Sequence, residues 1–405
     1  MKPQEIGALV KLRKPQPRPT QRVLERSRTI EDLRRAAHRR WPPGVRDYVE
    51  GGADGEVSLQ RNRDAYERHS FLPRTLQDVS DVDTTANLLG MRSALPIALG
   101  PTGYTRMMHE RGESAVARAA APLGIPYTLS TMATTSVEDV RAVSAGNLWF
   151  QLYVWRDRGL MRDLIARAAA SDYQVLMLTV DTPVTGLRLR DSRTGFTIPP
   201  QLSPSTILGM AAHPAWCARM LAAKQITFAN IPGHQADPAG VMEFAAAQFD
   251  PTVSWDDLAE IRELWRRPMI VKGLAQPDDV RRAVDLGVDA IALSNHGGRQ
   301  LDQSVPPIDL VSEIREIVSD SVDILVDSGI RRGSDVAIAV ARGATGCLVG
   351  RPYLYGLGAA GEAGVRAAIG ILGDELRRAM QLLGVPSLAA LAADGRTLVH
   401  PASAR

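Results

Sequence analysis

A histidine, two glycines and an arginine follow one another in the segment SNHGGRQ at residues 294–300. The segment comes directly after Ala290–Leu293, an apolar run that predicts a short buried strand. His296 can act as a general base, and Arg299 can hold a carboxylate through two parallel hydrogen bonds. The glycines let the backbone pass close to a ligand. This order of residues indicates a site that holds a base and a cation beside a flat cofactor.

Asp181 is the predicted partner of His296, because it follows another apolar run, Val175–Val180. A carboxylate beside an imidazole orients the ring and stabilises the imidazolium, as a general base requires. Lys272 ends the run MIVKG and has two interpretations. It could form a Schiff base, as in barrel aldolases, or place a fixed positive charge beside a cofactor ring. The histidine motif favours the fixed charge.

Two loops that contain glycine and arginine predict a second site, for a phosphate group. DSGIRRGSD at 327–335 follows the seventh apolar run, and GRPYLYG at 350–356 follows the eighth. Loops after strands seven and eight of a barrel commonly bind phosphate. The candidate donors are the backbone N–H groups of Gly329 and Gly350 and the side chains of Arg331 and Arg351.

Eight short apolar runs alternate with helical patterns and must position these residues. The alternation predicts an α/β fold, a (β/α)8 TIM barrel preceded by an N-terminal helical segment. Nearly every run ends in polar residues, and the carboxyl ends of barrel strands meet at one rim, where the active sites of this fold lie. In the helix after the seventh run, Ser334 is the predicted N-cap and Gly343 the left-handed terminator. The runs are Leu95–Leu99, Ile125–Ser130, Leu148–Tyr153, Val175–Val180, Met269–Lys272, Ala290–Leu293, Ile324–Val326 and Cys347–Val349.

The regular spacing of the apolar runs is interrupted between the fourth and fifth, which lie about 85 residues apart. An ordinary crossover is far shorter, so this gap predicts an insertion at about 197–253. Residues 205–223 within it are apolar but interrupted by His213, Pro214 and Arg219. A lid over the barrel mouth is the favoured interpretation. The alternative is a surface patch that docks on a bilayer to pass electrons to a quinone.

Composition and charge restrict the classes of function. The net charge of +3 on 405 residues argues against a nucleic-acid-binding protein. Residues 1–40 carry twelve Lys or Arg against four acids, with no apolar segment typical of a secretory signal. Residues 1–28 are therefore predicted to form a basic arm, either solvated or membrane-steering. Cys217 and Cys347 lack the spacing of a metal or redox site, so we expect no metal and a reducing cytoplasm. No run reaches the 18 apolar residues of a membrane span.

These motifs resemble the FMN-dependent α-hydroxy-acid oxidising enzymes, which include glycolate oxidase, mandelate dehydrogenase and L-lactate dehydrogenase. SNHGGRQLD is close to the family signature, and the resemblance extends over residues 29–398, which form the predicted barrel domain. The segments GPTGYTRMMHERGE, WFQLYVWRDRG and GLRLRDSRTGFTIPP are most similar to bacterial flavin L-lactate dehydrogenases.

The resemblance implies an FMN cofactor and a role for each residue of the rim. His296 would take a proton from the substrate, with Asp181 behind it, and Tyr153 would hydrogen-bond the substrate hydroxyl. Lys272 would face the N1–O2 edge of the flavin, where negative charge builds on reduction. The substrate-binding residues would be Tyr48, Arg188, Arg299 and Tyr153. The cofactor-binding residues would be Thr102, Gly103, Ser130, Gln151, Thr179, Lys272 and Ser294 around the ring and ribityl chain, and Asp327, Gly329, Arg331, Gly350 and Arg351 towards the phosphate.

The resemblance also implies the reaction. We expect oxidation of an L-2-hydroxy acid, with L-lactate the first substrate and a mandelate-type aryl acid the alternative. A quinone, a cytochrome or oxygen would then reoxidise FMN. Gly103 replaces the Ala of glycolate-oxidase-like members, which disfavours oxygen, and Met132 replaces their Trp. Selectivity for the substrate side chain would depend on the insertion, on Met132 and on Thr185. Family tetramers imply a homotetramer, in the cytoplasm or peripheral on the inner face of the cell membrane.

Parts of the sequence are also compatible with two other classes of function. A barrel aldolase or isomerase would use Lys272 and the phosphate loops without a flavin. That interpretation does not explain why His296, Arg299 and Tyr48 occur in the same chain. A non-catalytic FMN-binding protein would have no need for an intact set of catalytic residues.

Overall fold

The computed structural model describes residues 18–195, 203–231, 238–318 and 320–401. Its centre is the predicted closed barrel of eight parallel strands, which follow one another around the barrel until β8 pairs with β1. Each strand lies within one of the predicted apolar runs or extends it by a single residue. The strands β1–β8 are Ile97–Leu99, Tyr127–Ser130, Leu148–Tyr153, Val175–Thr179, Met269–Lys272, Ala290–Leu293, Asp323–Val326 and Gly346–Val349.

Helices surround the barrel and precede it. The helices that follow the strands, α1–α8, are Gly112–Ala120, Val137–Val143, Arg158–Ala170, Trp255–Leu264, Pro277–Asp285, Pro307–Ile317, Gly333–Ala341 and Arg351–Leu383. The N-terminal helical segment comprises Pro19–Arg26, Ile30–His38, Pro43–Glu50 and Val57–Glu67. The other helices are Thr105–Met108, the 3-10 turn Ala121–Leu123, Leu189–Thr194, Pro204–Ala211, Pro214–Ala222, Pro238–Ala247, Leu388–Ala393 and Gly395–Leu398.

Two short antiparallel pairs complete the sheets. Ala86–Leu88 pairs with Met91–Ser93, and His69–Phe71 pairs with Val399–Pro401. Leu88 packs among the side chains inside the barrel, including Trp149, and the next residue, Leu89, donates its N–H to Asp323 at the start of β7. The hairpin therefore closes the N-terminal end of the barrel and leaves the C-terminal rim for a ligand.

The start of α7 differs from the prediction. The helix begins at Gly333, so Ser334 lies in its first turn and is not the N-cap. The Asp335 carboxylate accepts from the backbone N–H groups of Arg331 and Arg332, just before the helix, at 2.8 and 2.9 Å, and the N–H of Gly333 donates to Glu375 at 2.8 Å. Gly343 has a positive φ of 108° after the last turn, as predicted.

The insertion between β4 and β5 has one buried and one exposed side. Trp216 in Pro214–Ala222 is buried, and its Nε1 donates to the carbonyl of Met107 at 2.9 Å. On the outside, Leu208 is 71% exposed and Leu221 87% exposed. Parts of the predicted insertion, 196–202 and 232–237, lie outside the described residues. Among the described residues, no helix is both long enough and apolar enough to cross a bilayer.

Candidate active site at the barrel rim

The carboxyl ends of the barrel strands surround a cavity of about 1340 Å³, counting its open mouth. Two predicted site residues, Asp181 and Ser294, lie behind its wall and contact residues that line it. The others line it: Tyr48, Thr102, Gly103, Ser130, Gln151, Tyr153, Thr179, Arg188, Lys272, His296, Arg299, Asp327, Gly329, Arg331, Gly350 and Arg351.

The turn after β6 points His296 into the cavity by an unusual backbone path. His296, Gly297 and Gly298 have consecutive positive φ angles of 58°, 67° and 74°. At Gly298, a Cβ atom would lie 2.6 Å from the backbone nitrogen of Leu59, so only glycine fits there. The N–H of His296 donates to Ser294 Oγ at 3.0 Å, which fixes the start of the turn.

Asp181 orients the imidazole of His296. The two side chains are 3.0 Å apart from Nδ1 to Oδ1, which leaves Nε2 as the ring nitrogen free to act on a substrate. Burial alone would raise the pKa of Asp181, but its interactions with His296 and Lys272 outweigh burial and hold the pKa below its ordinary value. Asp181 is therefore a carboxylate that can stabilise the imidazolium.

Lys272 occupies the end of β5 as a buried cation. Its Nζ donates to Ser294 Oγ at 2.9 Å, and it lies 3.6 Å from Asp327 and 4.0 Å from Asp181. Ser294 in turn donates to Asp327 at 2.7 Å. These partners hold the ammonium group in one place, which supports the predicted fixed positive charge over a Schiff-base amine.

Arg299 presents a guanidinium that is only partly satisfied by the protein. Its Nη1 donates to the carbonyls of Tyr48 and Gly51 at 2.7 and 2.9 Å, and the group lies 5.1 Å above the Tyr48 ring. Within the described ranges, no acidic side chain forms an ion pair with Arg299. Burial, together with the charge of Arg188, lowers the pKa of Arg299 to about 10. A substrate carboxylate would supply the missing counter-charge.

Arg188 and Tyr153 complete the predicted substrate groups. Arg188 Nε donates to Asp191 at 2.8 Å, so the protein itself neutralises this second guanidinium. Burial raises the pKa of Tyr153, and the charge of Asp181 raises it further, so its hydroxyl remains a donor. The Tyr153 ring packs against Phe249 with centroids 5.6 Å apart.

Buried polar atoms without partners identify the wall that fits a flavin ring. Gln151 Nε2 and Thr179 Oγ1 are buried and have no hydrogen-bond partner, although both residues line the cavity. Such atoms are costly unless a ligand satisfies them. A flat ring with polar edges would supply an acceptor for Gln151 Nε2 and a hydrogen-bond partner for Thr179 Oγ1 at the bottom of the cavity. At Gly103, an added Cβ would lie 3.2 Å from that of Met132, so glycine widens the cavity at this point.

The phosphate loops differ in detail from the prediction. The guanidinium of Arg351 donates to the carbonyls of Val49, Gly51 and Gly297 at 2.7 to 3.1 Å, so three of its five N–H donors are already used. Its backbone N–H lies in the first turn of α8, where N–H groups have no partner within the helix. Gly329 is also required by packing, because a Cβ there would lie 2.1 Å from the Asn62 carbonyl oxygen.

Sequence reasoning missed several residues that line the cavity, among them Phe249, Tyr104 and Ser328. Phe249 comes from the far end of the insertion, and no local pattern marks it. Tyr104 and Ser328 directly follow predicted site residues at strand ends, so their positions were a usable signal. Ser328 accepts the N–H of Gly297 at 3.0 Å and supports the histidine turn.

Glu50 anchors the helix that carries Tyr48. Its carboxylate accepts from His38 and Arg34, each at 2.8 Å. Burial alone would raise the pKa of Glu50, but these hydrogen bonds lower it to about 2. Because the folded-state pKa is depressed, the stabilisation is complete above the unfolded pKa of about 4.5 and is lost as the pH falls towards 2.

Glu50→Gln should therefore lower the free energy of unfolding by about 3 kcal/mol at pH 7. Urea unfolding of both proteins between pH 7 and pH 3 measures the difference, which should shrink below about pH 4.5. Glu31→Gln is the control, because Glu31 pairs with Arg34 on the surface and contributes about 0–1 kcal/mol. A constant difference across this pH range would refute the assignment.

Comparison with known proteins assigns the chain to a family. The family model described as FMN-dependent dehydrogenase matches residues 37–398. The chain belongs to the FMN-dependent dehydrogenase family. FMN is accordingly its cofactor. The unpartnered polar atoms of Gln151 and Thr179 and the two glycine-containing loops after β7 and β8 fit that group.

Curated relatives cover nearly the whole chain. A protein of Caulobacter vibrioides named L-lactate dehydrogenase is 42% identical over 364 residues, which are 89% of this chain and 95% of that protein. The L-lactate dehydrogenase of Pseudomonas aeruginosa is 41% identical over 367 residues, 90% of this chain and 96% of the other. A Mycobacterium tuberculosis relative is 45% identical over 385 residues, with coverage of 95% and 92%.

Solved structures share the fold. The structure of the monotopic membrane protein (S)-mandelate dehydrogenase superposes with a TM-score of 0.89 at 36% identity, covering 93% of this chain and all of that chain. A mandelate oxidase variant with (S)-mandelic acid gives a TM-score of 0.78 at 39% identity, with coverage of 90% and 97%. The chain is thus an FMN-dependent oxidoreductase on a (β/α)8 barrel.

Proposed function

We propose that this protein oxidises L-lactate to pyruvate. The observation that carries the proposal is the pairing of His296 with Asp181 beside Arg299, whose guanidinium lacks a carboxylate partner within the described ranges. Relatives named L-lactate dehydrogenase, at 41–42% identity over most of both chains, favour lactate as the acid.

The chain's own residues account for binding and proton transfer. The free N–H groups of Arg299 bind the substrate carboxylate, with the Tyr48 hydroxyl and Arg188 beside it. Tyr153 donates to the substrate hydroxyl, and Nε2 of His296 accepts a proton while Asp181 stabilises the imidazolium. When bound, FMN would supply the acceptor for the two electrons and for the second of the two protons that the substrate loses. Lys272 places a positive charge on the cofactor side of the cavity and favours added negative charge there.

A mandelate-type aryl acid is the second candidate. Two observations favour it: the 0.89 TM-score with (S)-mandelate dehydrogenase and the apolar wall of Met132 and Phe249. A hydrophobic pocket discriminates by only about 1–3 kcal/mol per methylene, so one site can turn over both acids.

Anaerobic mixing of the purified holoprotein with L-lactate or (S)-mandelate tests the proposal. Fast bleaching of the flavin absorption by lactate supports a lactate dehydrogenase. Rapid recovery with a soluble quinone and slow recovery in air would support a quinone as the acceptor. If only mandelate bleaches the flavin, the substrate is the aryl acid and not lactate. If neither acid bleaches it, the proposal is overturned.

We also propose that the insertion places the enzyme on a membrane surface, as a peripheral protein that reduces a lipid-soluble quinone. The exposed Leu208 and Leu221, on helices that pack against each other, support a docking face. The buried Trp216 supports the lid interpretation for the inner face of the same segment. The relative described as monotopic favours the membrane role.

Leu208→Glu/Leu221→Glu should release the protein from lipid vesicles. Each leucine contributes about 1.5–3 kcal/mol when fully buried in apolar surroundings, so the partition coefficient should fall at least ~10²-fold. Sedimentation with vesicles of phosphatidylglycerol and phosphatidylethanolamine measures it. Leu382→Glu, at a site 71% exposed on α8, is the control. Equal binding of the double variant and the control would contradict membrane docking by this face.

The domain limits and the assembly remain proposals. We propose a barrel domain at 29–398, supported by the family match over residues 37–398, with a basic arm before it. A homotetramer is proposed from the resemblance to family members, and analytical ultracentrifugation of the full chain tests it.

A further inference from the structure

Tyr104 carries a buried hydroxyl that no group in the described part of the chain satisfies. The residue is 4% exposed and lines the cavity, and its Oη has no hydrogen-bond partner. Its backbone has a positive φ of 53°, which is uncommon for a tyrosine. Strained backbone and unsatisfied polar groups persist where the surrounding structure requires them, often at ligand sites.

The ring of Tyr104 is fixed on several sides. It meets Tyr48 edge-on with centroids 6.0 Å apart, and it lies 4.7 Å from the ring of Phe228, which belongs to the insertion. Its backbone N–H donates to the carbonyl of Met132 at 3.2 Å. Tyr104 is therefore held in one position, with its residue lining the cavity between the β1 and β2 loops and its hydroxyl buried beside that wall.

The substrate offers one group that the proposed site residues leave without a partner. The α-carbon of a 2-hydroxy acid bears a carboxylate, a hydroxyl, a hydrogen and a side chain. Arg299 and Tyr48 are assigned to the carboxylate, Tyr153 and His296 to the hydroxyl, and the hydrogen leaves in the oxidation. The side chain must meet the remaining wall, which comprises Tyr104, Met132, Thr182, Thr185 and Phe249.

We propose that Tyr104 determines specificity by hydrogen-bonding a hydroxyl group on the side chain of the substrate. This inference rests on the proposed oxidation of 2-hydroxy acids and names the acids that the site prefers: those with a hydroxylated side chain. Within the described part of the chain, Tyr104 supplies the one buried and unpartnered hydroxyl on that wall. A site with such a group favours the substrate that satisfies it over the analogue that lacks the hydroxyl.

Charge excludes a second carboxylate at this position. The two guanidiniums near the substrate are Arg299 and Arg188, and Asp191 already pairs with Arg188 at 2.8 Å. Of these two guanidiniums, Arg299 is therefore the one left for the carboxylate that every 2-hydroxy acid carries. A side-chain carboxylate would be buried beside a phenol without a counter-charge, which is costly. A neutral hydroxyl fits.

Tyr104→Phe tests this inference, because it removes only the hydroxyl. The substrates form two pairs that differ by one hydroxyl: L-lactate with L-glycerate, and (S)-mandelate with (S)-4-hydroxymandelate. We expect kcat/KM for the hydroxylated member of at least one pair to fall about 10-fold or more, while its partner changes less than about 3-fold. Tyr127→Phe is the matched control, since its hydroxyl is also buried and unpartnered but does not line the cavity.

Two results would overturn the inference. An equal loss for both members of each pair would mean that Tyr104 acts on the part that all these acids share. Unchanged kinetics with all four acids would mean that the hydroxyl does not contact substrate. Dissociation constants of the same acids, from the perturbation of the flavin spectrum, keep the test separate from the proposed reaction. A selective weakening there supports the role of Tyr104 even if the wild-type protein oxidises none of them.

Discussion

His296→Asn should leave FMN bound and slow its reduction by substrate about 10²–10⁴-fold, the range that general base catalysis supplies. The variant removes Nε2, the ring nitrogen left free by the 3.0 Å hydrogen bond between Nδ1 and Asp181. Asparagine suits this position because it tolerates the left-handed φ of 58° better than alanine would. The loss should therefore report on proton transfer and not on a disrupted turn.

Stopped-flow reduction without oxygen, at saturating substrate, measures the effect. The flavin content and thermal unfolding of the variant establish that the site is intact. His400→Asn is the control, because His400 is exposed and lies away from the cavity. Reduction of the His296 variant at the wild-type rate would remove His296 from the mechanism.

Arg299→Lys should raise the half-saturating substrate concentration at least ~10²-fold, with a smaller effect on the limiting rate of flavin reduction. An ammonium group cannot keep both backbone anchors, at 2.7 and 2.9 Å, and still give a carboxylate two parallel hydrogen bonds. A loss of this size corresponds to about 2–3 kcal/mol of carboxylate binding.

The pH dependence separates charge from shape. The pKa of Arg299 is about 10, so the wild-type guanidinium stays charged through neutral pH. A lysine in the same desolvated position would have its pKa pushed below its ordinary range, so substrate affinity of the variant should decline at a lower pH than that of the wild type. Binding measured from pH 6 to pH 10 tests this. Arg92→Lys, on the hairpin at the other end of the barrel, is the control. An unchanged half-saturation would place the carboxylate elsewhere.

Local sequence patterns were sufficient for the barrel. Apolar runs of three to six residues, each bounded by polar or turn residues, predicted all eight strands within two residues at either end. The signal is strong because a strand buried on both faces must be apolar throughout. The predicted start of α7 was wrong, because the helix begins at Gly333 and Asp335 in its first turn accepts the N–H groups of Arg331 and Arg332 just before it. Ser334 and Asp335 are adjacent and both can cap a helix, so the sequence alone does not separate them.

The roles of the site residues stay predictions, but their convergence on one cavity follows from the fold. Residues at the carboxyl ends of barrel strands share a rim, whichever strands they follow. That rule placed His296, Lys272 and Gln151 together from residues far apart in the sequence. It could not give distances, since β4 and β6 are separated by β5 and the gap between Asp181 and His296 depends on how the barrel closes.

The sequence by itself determined the strands, the rim and the chemical types available there, because these depend on neighbours within a few residues. Only the tertiary structure decided which donors remain free for a ligand. Three N–H donors of Arg351 bond backbone carbonyls. Arg299 uses only Nη1 for such bonds, so its other N–H groups remain available to a ligand. The tertiary structure also brought Phe249 and Tyr104 to the cavity wall. Such partners come from segments distant in the chain, so their positions are fixed by packing of the whole barrel rather than by any local pattern.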